Sequence, residues 1–328
     1  MSEQTYEKKN QQDLARVWKI VRKIVSGNEM WIVLLGLVVL ASIMTPNFLT
    51  TFNIGNLLSQ SALLGVLAIA QFIVILSGGF DLSVAAVMAL SSCIIAKYGT
   101  ENIVPFILVA LLASLILGFI NGVSITSGKV PPMIATLAMA GIARALAFNV
   151  TAQSISVTHP VIKTLSSYLG IFSYSTIIWI ILAILISLFL YISKTGTYIY
   201  AVGGNEDTSR LAGIKVHRIK LLVYSLSGLI SGLAGILFVI RAQSGVPHVG
   251  VGWELDAIAA VVIGRTKLNG GEGKLPSAMA GVLIYMLIRN ALNIIGMDPF
   301  FQDIIKAAII LAAVGLSMIK FSKNKRSI

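Results

Sequence analysis

The sequence predicts an all-α polytopic membrane protein of about ten transmembrane helices, some short or discontinuous, with both termini cytoplasmic. Three observations carry this expectation: how little charge the chain holds, how its apolar runs are spaced, and where its basic residues fall. Of the 328 residues 56% are hydrophobic and only 12% are charged, against about a quarter charged in a soluble domain. Apolar segments recur at roughly 30–44, 57–76, 82–98, 103–120, 131–150, 175–192, 219–240, 253–264, 277–292 and 301–319. The longer ones approach the ~20 residues that a bilayer core demands of a helix. Placing the N-terminus inside and crossing ten times puts six Lys or Arg in 1–29, one at Lys129, five in 193–220, three in 265–276 and four in 320–328. Outside regions hold four, Lys97, Lys163, Arg241 and Lys306, with Arg144 and Arg289 inside spans. That bias fixes the orientation and an even number of crossings; eight would satisfy it as well.

The chain divides into a cytoplasmic N-terminal segment 1–29, a membrane domain 30–319 and a basic cytoplasmic tail 320–328. In the first, Leu14, Val17, Trp18, Val21, Ile24 and Val25 recur at helical spacing with Arg16, Lys19, Arg22 and Lys23 between them. This pattern describes an amphipathic helix lying on membrane lipid; a plain cytoplasmic tail is the alternative. No small-residue cleavage site follows the first apolar run, so the segment does not read as a secretory signal. The net charge of +12 is explained by cytoplasmic loops, and no basic stripe interleaved with aromatics points to nucleic acid. Cys93, the single cysteine, lies in an apolar run and offers neither a disulfide nor a metal cluster.

Within the membrane domain, segments two and three are parted only by Ser77, Gly78, Gly79, Phe80 and Asp81, and the eighth ends at Gly264. Helices broken at glycine are tolerated where backbone lines a cavity or packs on protein. Gly118 and Gly122, and Gly228 and Gly232 with Ser225 and Gly235, put small residues on one face, which marks close helix contacts in lipid. Polar residues in spans are costly and so are functional candidates. Asp81 is the foremost, and its simpler reading is a helix cap beside Ser83. Gln71, Asn121 and Asn290, with Gly78 and Gly79 at the break, are further candidates for a translocation path, each equally able to bond a neighbouring helix. Arg144 and Arg289 call for carboxylate partners or a wet cavity.

The largest inside loop, 193–218, contains Gly203-Gly204-Asn205-Glu206-Asp207 followed by Arg210, Leu211 and Gly213. Asn205 suits an N-cap, Glu206 and Asp207 suit the first turn, and Gly213 suits the stop. About two turns of charged helix on the inner face fit either an ordinary connector or a docking element for a cytoplasmic partner. No catalytic residues are apparent: there is no GxxxxGK[ST] loop, no metal-ligand cluster, and His159, His217 and His248 suggest no triad. Gly270-Gly271-Glu272-Gly273 reads as a flexible turn. An acidic coupling site of the kind a secondary transporter needs is represented only by Asp81.

The run YAVGGNEDTSRLAGI at 200–214 resembles the coupling loop of the ribose-type permeases of ATP-binding-cassette (ABC) sugar importers. ILSGGFDLSVAAVMAL at 75–90, ELDAIAAVVIGRTKLNGGEGKLPSAMAGVLI at 254–284 and NALNIIGMDPFFQDIIKAAIILAAV at 290–314 resemble the same family in the same order, from about residue 45 to 319. Two departures stand out: the family usually has a glycine where this chain has Arg265, and a small or polar residue in place of Lys267. The resemblance implies a bacterial inner-membrane permease subunit that carries no cofactor, with ATP and Mg on a separate ATP-binding subunit. It implies a second permease copy, identical or paired, and an extracytoplasmic sugar-binding protein. It implies that Gly203, Gly204, Asn205, Glu206, Asp207, Arg210, Leu211 and Gly213 couple to the ATPase, and that the cargo is a monosaccharide, best a pentose such as ribose. A permease for another small polar solute and a self-contained secondary transporter are the alternatives.

Overall fold

A computed structural model describes residues 29–45, 47–298, 300–305, 307, 308 and 311. The amphipathic segment before residue 29, the basic tail and most of the last apolar segment lie outside the described residues. The other nine apolar segments are all helices. In chain order they are α1 (Glu29–Met44), α2 (Thr51–Leu76), α3 (Val84–Tyr98), α4 (Ile103–Thr126) and α5 (Pro132–Val150). After a short α6 (Pro160–Leu165) come α7 (Tyr174–Ile192), α8 (Lys194–Gly204), α9 (Glu206–Leu211), α10 (Val216–Ala242), α11 (Trp253–Ile263) and α12 (Leu275–Ile294). Among the described residues six helices, α2, α4, α5, α7, α10 and α12, are long and apolar enough to cross a membrane. α1 and α3 are shorter apolar helices, and α11 has 11 residues, about 16 Å at 1.5 Å per residue.

α2 is the centre of the bundle. It packs on α10, α12, α11 and α7, and every residue from Ser61 to Leu76 is buried. Thr50 caps it by accepting from the Asn53 amide at 3.3 Å. The most extensive helix pairing is α4 with α10, and the small residues explain it. A β-carbon on Gly228 would stand 2.3 Å from the Ser114 carbonyl oxygen, and one on Gly118 would stand 2.4 Å from that of Tyr224. The two backbones therefore touch, and dispersion gained at that range replaces the hydrophobic drive that lipid removes. Gly235 meets α3 in the same way, 2.5 Å from the Met88 carbonyl oxygen.

Two small antiparallel sheets cover one end of the bundle. β1 (Ile155–Ser156) pairs with β4 (Ser244–Gly245), and β2 (Tyr168–Leu169) pairs with β3 (Phe172–Ser173) around Gly170, whose φ is 64°. α8 and α9 lie at the opposite end. α2 runs from one end to the other over about 39 Å.

Candidate functional site

The break after α2 is built from its polar residues outward. Gly78 takes φ 81°, a conformation that costs glycine little, and the chain turns back into the bundle before α3 starts. There Asp81 is buried and both of its carboxylate oxygens are used. Oδ1 accepts from the Ser83 amide at 2.9 Å and the Ser83 hydroxyl at 2.6 Å, and Oδ2 accepts from the Ser227 hydroxyl of α10 at 2.7 Å. Asn121 of α4 donates to the Ser83 hydroxyl at 3.0 Å. Thr136 of α5 accepts from the Leu82 amide at 3.1 Å, and Tyr224 of α10 donates to the Phe80 carbonyl at 3.4 Å. Residues 80–83 are thus held by side chains from three helices. Asp81 is not the cap of α3 that its simpler reading expects: the residue before the helix is Ser83, which makes no side-chain cap bond, and Asp81 instead closes the turn before it through the Ser83 amide and ties α10 to the break.

The second layer is a set of glycines brought together from three stretches of sequence. A β-carbon on Gly203 would lie 1.8 Å from the Leu76 carbonyl oxygen and 2.6 Å from the Gly271 nitrogen. One on Gly270 would lie 2.7 Å from the Gly78 nitrogen, and one on Gly271 would lie 2.5 Å from the Gly204 α-carbon. The Gly271 amide donates to the Leu76 carbonyl at 2.9 Å, and the Tyr200 hydroxyl donates to the Gly273 carbonyl at 3.0 Å. Burial pushes the Tyr200 phenol up from its ordinary value. The 270–273 turn, expected to be flexible, is therefore wedged between α8 and the end of α2. The cause is the missing side chains, which let three backbones meet. Sequence spacing alone carries no signal that these glycines face one another.

The adjoining loop forms two helices, α8 and α9, where about two turns of one were expected. The Asn205 side-chain oxygen caps α9 by accepting from the Thr208 amide at 2.8 Å, and Gly213 follows at φ 81°, both as the sequence predicts. Glu206 pairs with Lys220 of α10, and with Arg210 at 3.2 Å. Asp207 and the Arg210 guanidinium face solvent, and Leu211 is 90% exposed. Arg265 takes φ 65° just after α11. That conformation costs an L-residue roughly 1–2 kcal/mol; the Arg265 side chain pairs with Glu29 at the start of α1.

Of the other candidates, Asn290 exchanges amide bonds with Asn53 at 2.8 and 3.2 Å, joining α12 to α2. Arg144 donates to the Pro247 and Val249 carbonyls at 2.7 and 2.8 Å, so its first partners are backbone oxygens rather than a carboxylate. Gln71 is different: it is fully buried in α2, and neither its amide nitrogen nor its oxygen has a partner. At the far end, Arg289 lines a cavity of about 140 Å³ with Gln60, Arg241, Trp253 and Asp256. Arg241 also lines a wider, half-open hollow of about 380 Å³, with Asn56, Ser59, Tyr168 and Gln243. Asp256 is 1% exposed, which corrects the expectation that Asp81 alone represents buried acid. The signal was present: a charged residue in an apolar run is a candidate wherever it falls.

Nothing in this arrangement activates a nucleophile. What it offers is a buried helix with polar groups along its length, hollowed at one end and in direct backbone contact with a surface element at the other. That construction belongs to a membrane transport protein of the helical, multi-pass class. The chain belongs to the family described as "Branched-chain amino acid transport system / permease component", whose model matches residues 53–314. It is similar to the "Ribose import permease protein RbsC" of Escherichia coli K12, 38% identical over 291 residues, 86% of this chain and 91% of that one. The Bacillus subtilis protein of the same name is 39% identical over 290 residues, 85% and 88% of the two chains. The "L-arabinose ABC transporter permease protein AraH" of Azospirillum brasilense is 35% identical over 319 residues, 94% and 91%. No solved structure matches.

Proposed function

We propose that this chain is the membrane-spanning subunit of an ATP-driven, binding-protein-dependent importer that moves a monosaccharide, a pentose such as ribose, across the bacterial inner membrane. The observation that carries the reading is the contact of α8 with the end of α2 through Gly203, Leu76 and Gly271. A movement imposed on α8–α9 reaches the break at Gly78 without passing through any compliant side chain. Such a contact supports a subunit driven from outside, because packed backbones shift as units rather than deform. α9 presents Asp207, Arg210 and Leu211 outward, a charged and apolar tip suited to a groove on an ATPase. Two copies of the chain form the pore, and both termini and the α9 tip are cytoplasmic. The names of the relatives support pentoses: ribose and arabinose are both five-carbon sugars.

A second reading comes from the family description, which names branched-chain amino acids. One experiment separates them. The chain is reconstituted in liposomes alone, then with its ATP-binding subunit and binding protein, and offered labelled ribose, arabinose and leucine. The expected result is pentose accumulation only with both partners and ATP. Leucine accumulation selects the second reading, and accumulation by the chain alone under a proton or sodium gradient selects a secondary transporter. Leu211→Cys should react with an impermeant thiol reagent only from the cytoplasmic side.

A further inference from the structure

We propose that the non-helical stretch 243–252, with α5 and the start of α11 beside it, forms one wall of the sugar's passage, and that a second copy of the chain supplies the other. This rests on the importer reading and adds which face of the chain the neutral monosaccharide meets. The stretch does not stay at the sheet-covered end of the bundle. A β-carbon on Gly245 would stand 2.5 Å from the Ala96 β-carbon, and one on Gly250 would stand 3.6 Å from that of Ala85. Ala85 lies eleven residues back along α3, about 16 Å at 1.5 Å per residue. The chain thus leaves α10, descends beside α3, and only then begins α11. Trp253, the first residue of α11, stands with Gln60 and Leu64, about 14–20 Å along the length of α2. α11 supplies about 16 Å of the crossing, roughly half of a ~30 Å hydrocarbon core. The remainder is irregular backbone at membrane depth.

Such backbone is tolerated in a membrane only where protein buries it or where it lines a water-filled cavity. The break between α2 and α3 is of the first kind, because Asn121, Thr136 and Tyr224 from three helices take up its polar groups. The stretch 243–252 is open on one side. His248 is exposed, Val251 is 72% exposed, and a β-carbon on Gly252 would meet nothing within 4 Å. Arg144 of α5 donates to its Pro247 and Val249 carbonyls, so α5 borders the opening. Leu137, Gly141, Arg144 and Phe148 follow one another by four, three and four residues, which puts them on one face of α5. Leu137 and Phe148 are exposed, and Gly141 has open space where a β-carbon would go. On the α11 side Leu255 is half exposed, and Glu254 is close enough to Arg144 for their charges to attract. Hydrocarbon would solvate neither this backbone nor these two charges. A two-fold axis sets the same patch of two copies face to face, and the gap between them holds water. The wall suits a neutral ring: its apolar side chains offer contact, Arg144 donates, Glu254 accepts, and the opposite charges favour no ion of either sign.

Single cysteines are placed in the complete importer, in a Cys93→Ala background in lipid nanodiscs, and treated with a small cationic thiol reagent. Val251→Cys and Leu255→Cys are expected to react at least about tenfold faster than Ile184→Cys on α7, because a thiol ionises in water and not in hydrocarbon. A flexible bifunctional thiol reagent should join Val251→Cys of one copy to that of the other and leave Ile184→Cys unjoined. Gly141→Trp enters open space, so the chain should assemble and keep binding-protein-stimulated ATP hydrolysis while D-ribose uptake is lost; Ile184→Trp should transport normally. Should Gly141→Trp fail to assemble, the labelling rates and the cross-link decide. Val251→Cys as inert as Ile184→Cys, no cross-link between copies, or normal uptake by an assembled Gly141→Trp protein would overturn the proposal. The labelling needs no transport, so failure of the wall is distinguishable from failure of the importer reading, which shows as no pentose uptake by the complete wild-type assembly.

Discussion

α2 and α7 are both long, apolar and continuous, yet α7, the more apolar of the two, is 22% buried over its span while α2 is 89% buried. In a soluble protein the ranking would be reversed. In lipid the aliphatic face of α7, with Ile181, Ile184, Leu185 and Leu188 exposed, is already in a good solvent and gains little from packing. α2 carries Gly55, Ser59, Ser61, Gly65 and Gln71 instead, and other helices close around it. At Gly65 the fit is direct, since a β-carbon there would fall 2.2 Å from the Trp179 ring of α7. The helix with the polar and small residues is the core, and the site follows it.

The largest test of that contrast is at the hinge. Gly203→Val would push atoms into the Leu76 carbonyl, where backbone cannot yield; a cost of about 3 kcal/mol or more is expected. Thermal unfolding should fall, and binding-protein-stimulated ATP hydrolysis should be lost. Gly204, its neighbour, has open space where a β-carbon would go, so Gly204→Ala should leave both readings near wild type. Equal effects at the two positions would dissolve the hinge. Next comes Asp81. Asp81→Leu strands the Ser83 amide and the Ser83 and Ser227 hydroxyls and should destabilise by about 2–3 kcal/mol, whereas Asp81→Asn retains an acceptor and should keep most assembly. Uptake separates its two roles: an Asp81→Asn protein that assembles but moves no sugar places the carboxylate in the route.

Smaller and opposite in sign is Gln71. Removing an unpartnered buried amide should raise stability, so Gln71→Leu is expected to stabilise by about 1 kcal/mol while uptake drops. A variant that is both more stable and fully active would remove Gln71 from the route. The smallest effect belongs to α7: Ile184→Ala on the lipid face should stay within about 0.5 kcal/mol of wild type, and a larger loss would mean that the face is covered by protein.

The same contrast explains what the sequence made legible. Helix positions followed from apolar length, and the caps at Asn205 and Gly213 from local chemistry, because both depend on neighbours in sequence. That α4 and α10 each make a close helix contact was readable from glycines four apart on each; that they make it with one another was not. The hinge was not, since Gly78, Gly203 and Gly271 come from three distant stretches, each ordinary on its own. Asp256 was passed over because it sits inside a motif with the residue pattern of a plain span, and its cavity depends on Arg241 and Arg289 arriving from other helices. Asn290 shows the reverse case: a polar residue in a span that bonds its neighbour, Asn53.

The central claim is that the contact at Gly203 and the wide hollow at the other end of the bundle are two ends of one lever, α2. It is tested most directly by spin labels at Asn56 and Gln243, which both line that hollow, in the complete importer. The distance between them should change when ATP binds, and that change should vanish in the Gly203→Val background while persisting in Gly204→Ala. A distance indifferent to nucleotide in the wild type, or a nucleotide response that survives Gly203→Val, would contradict the claim.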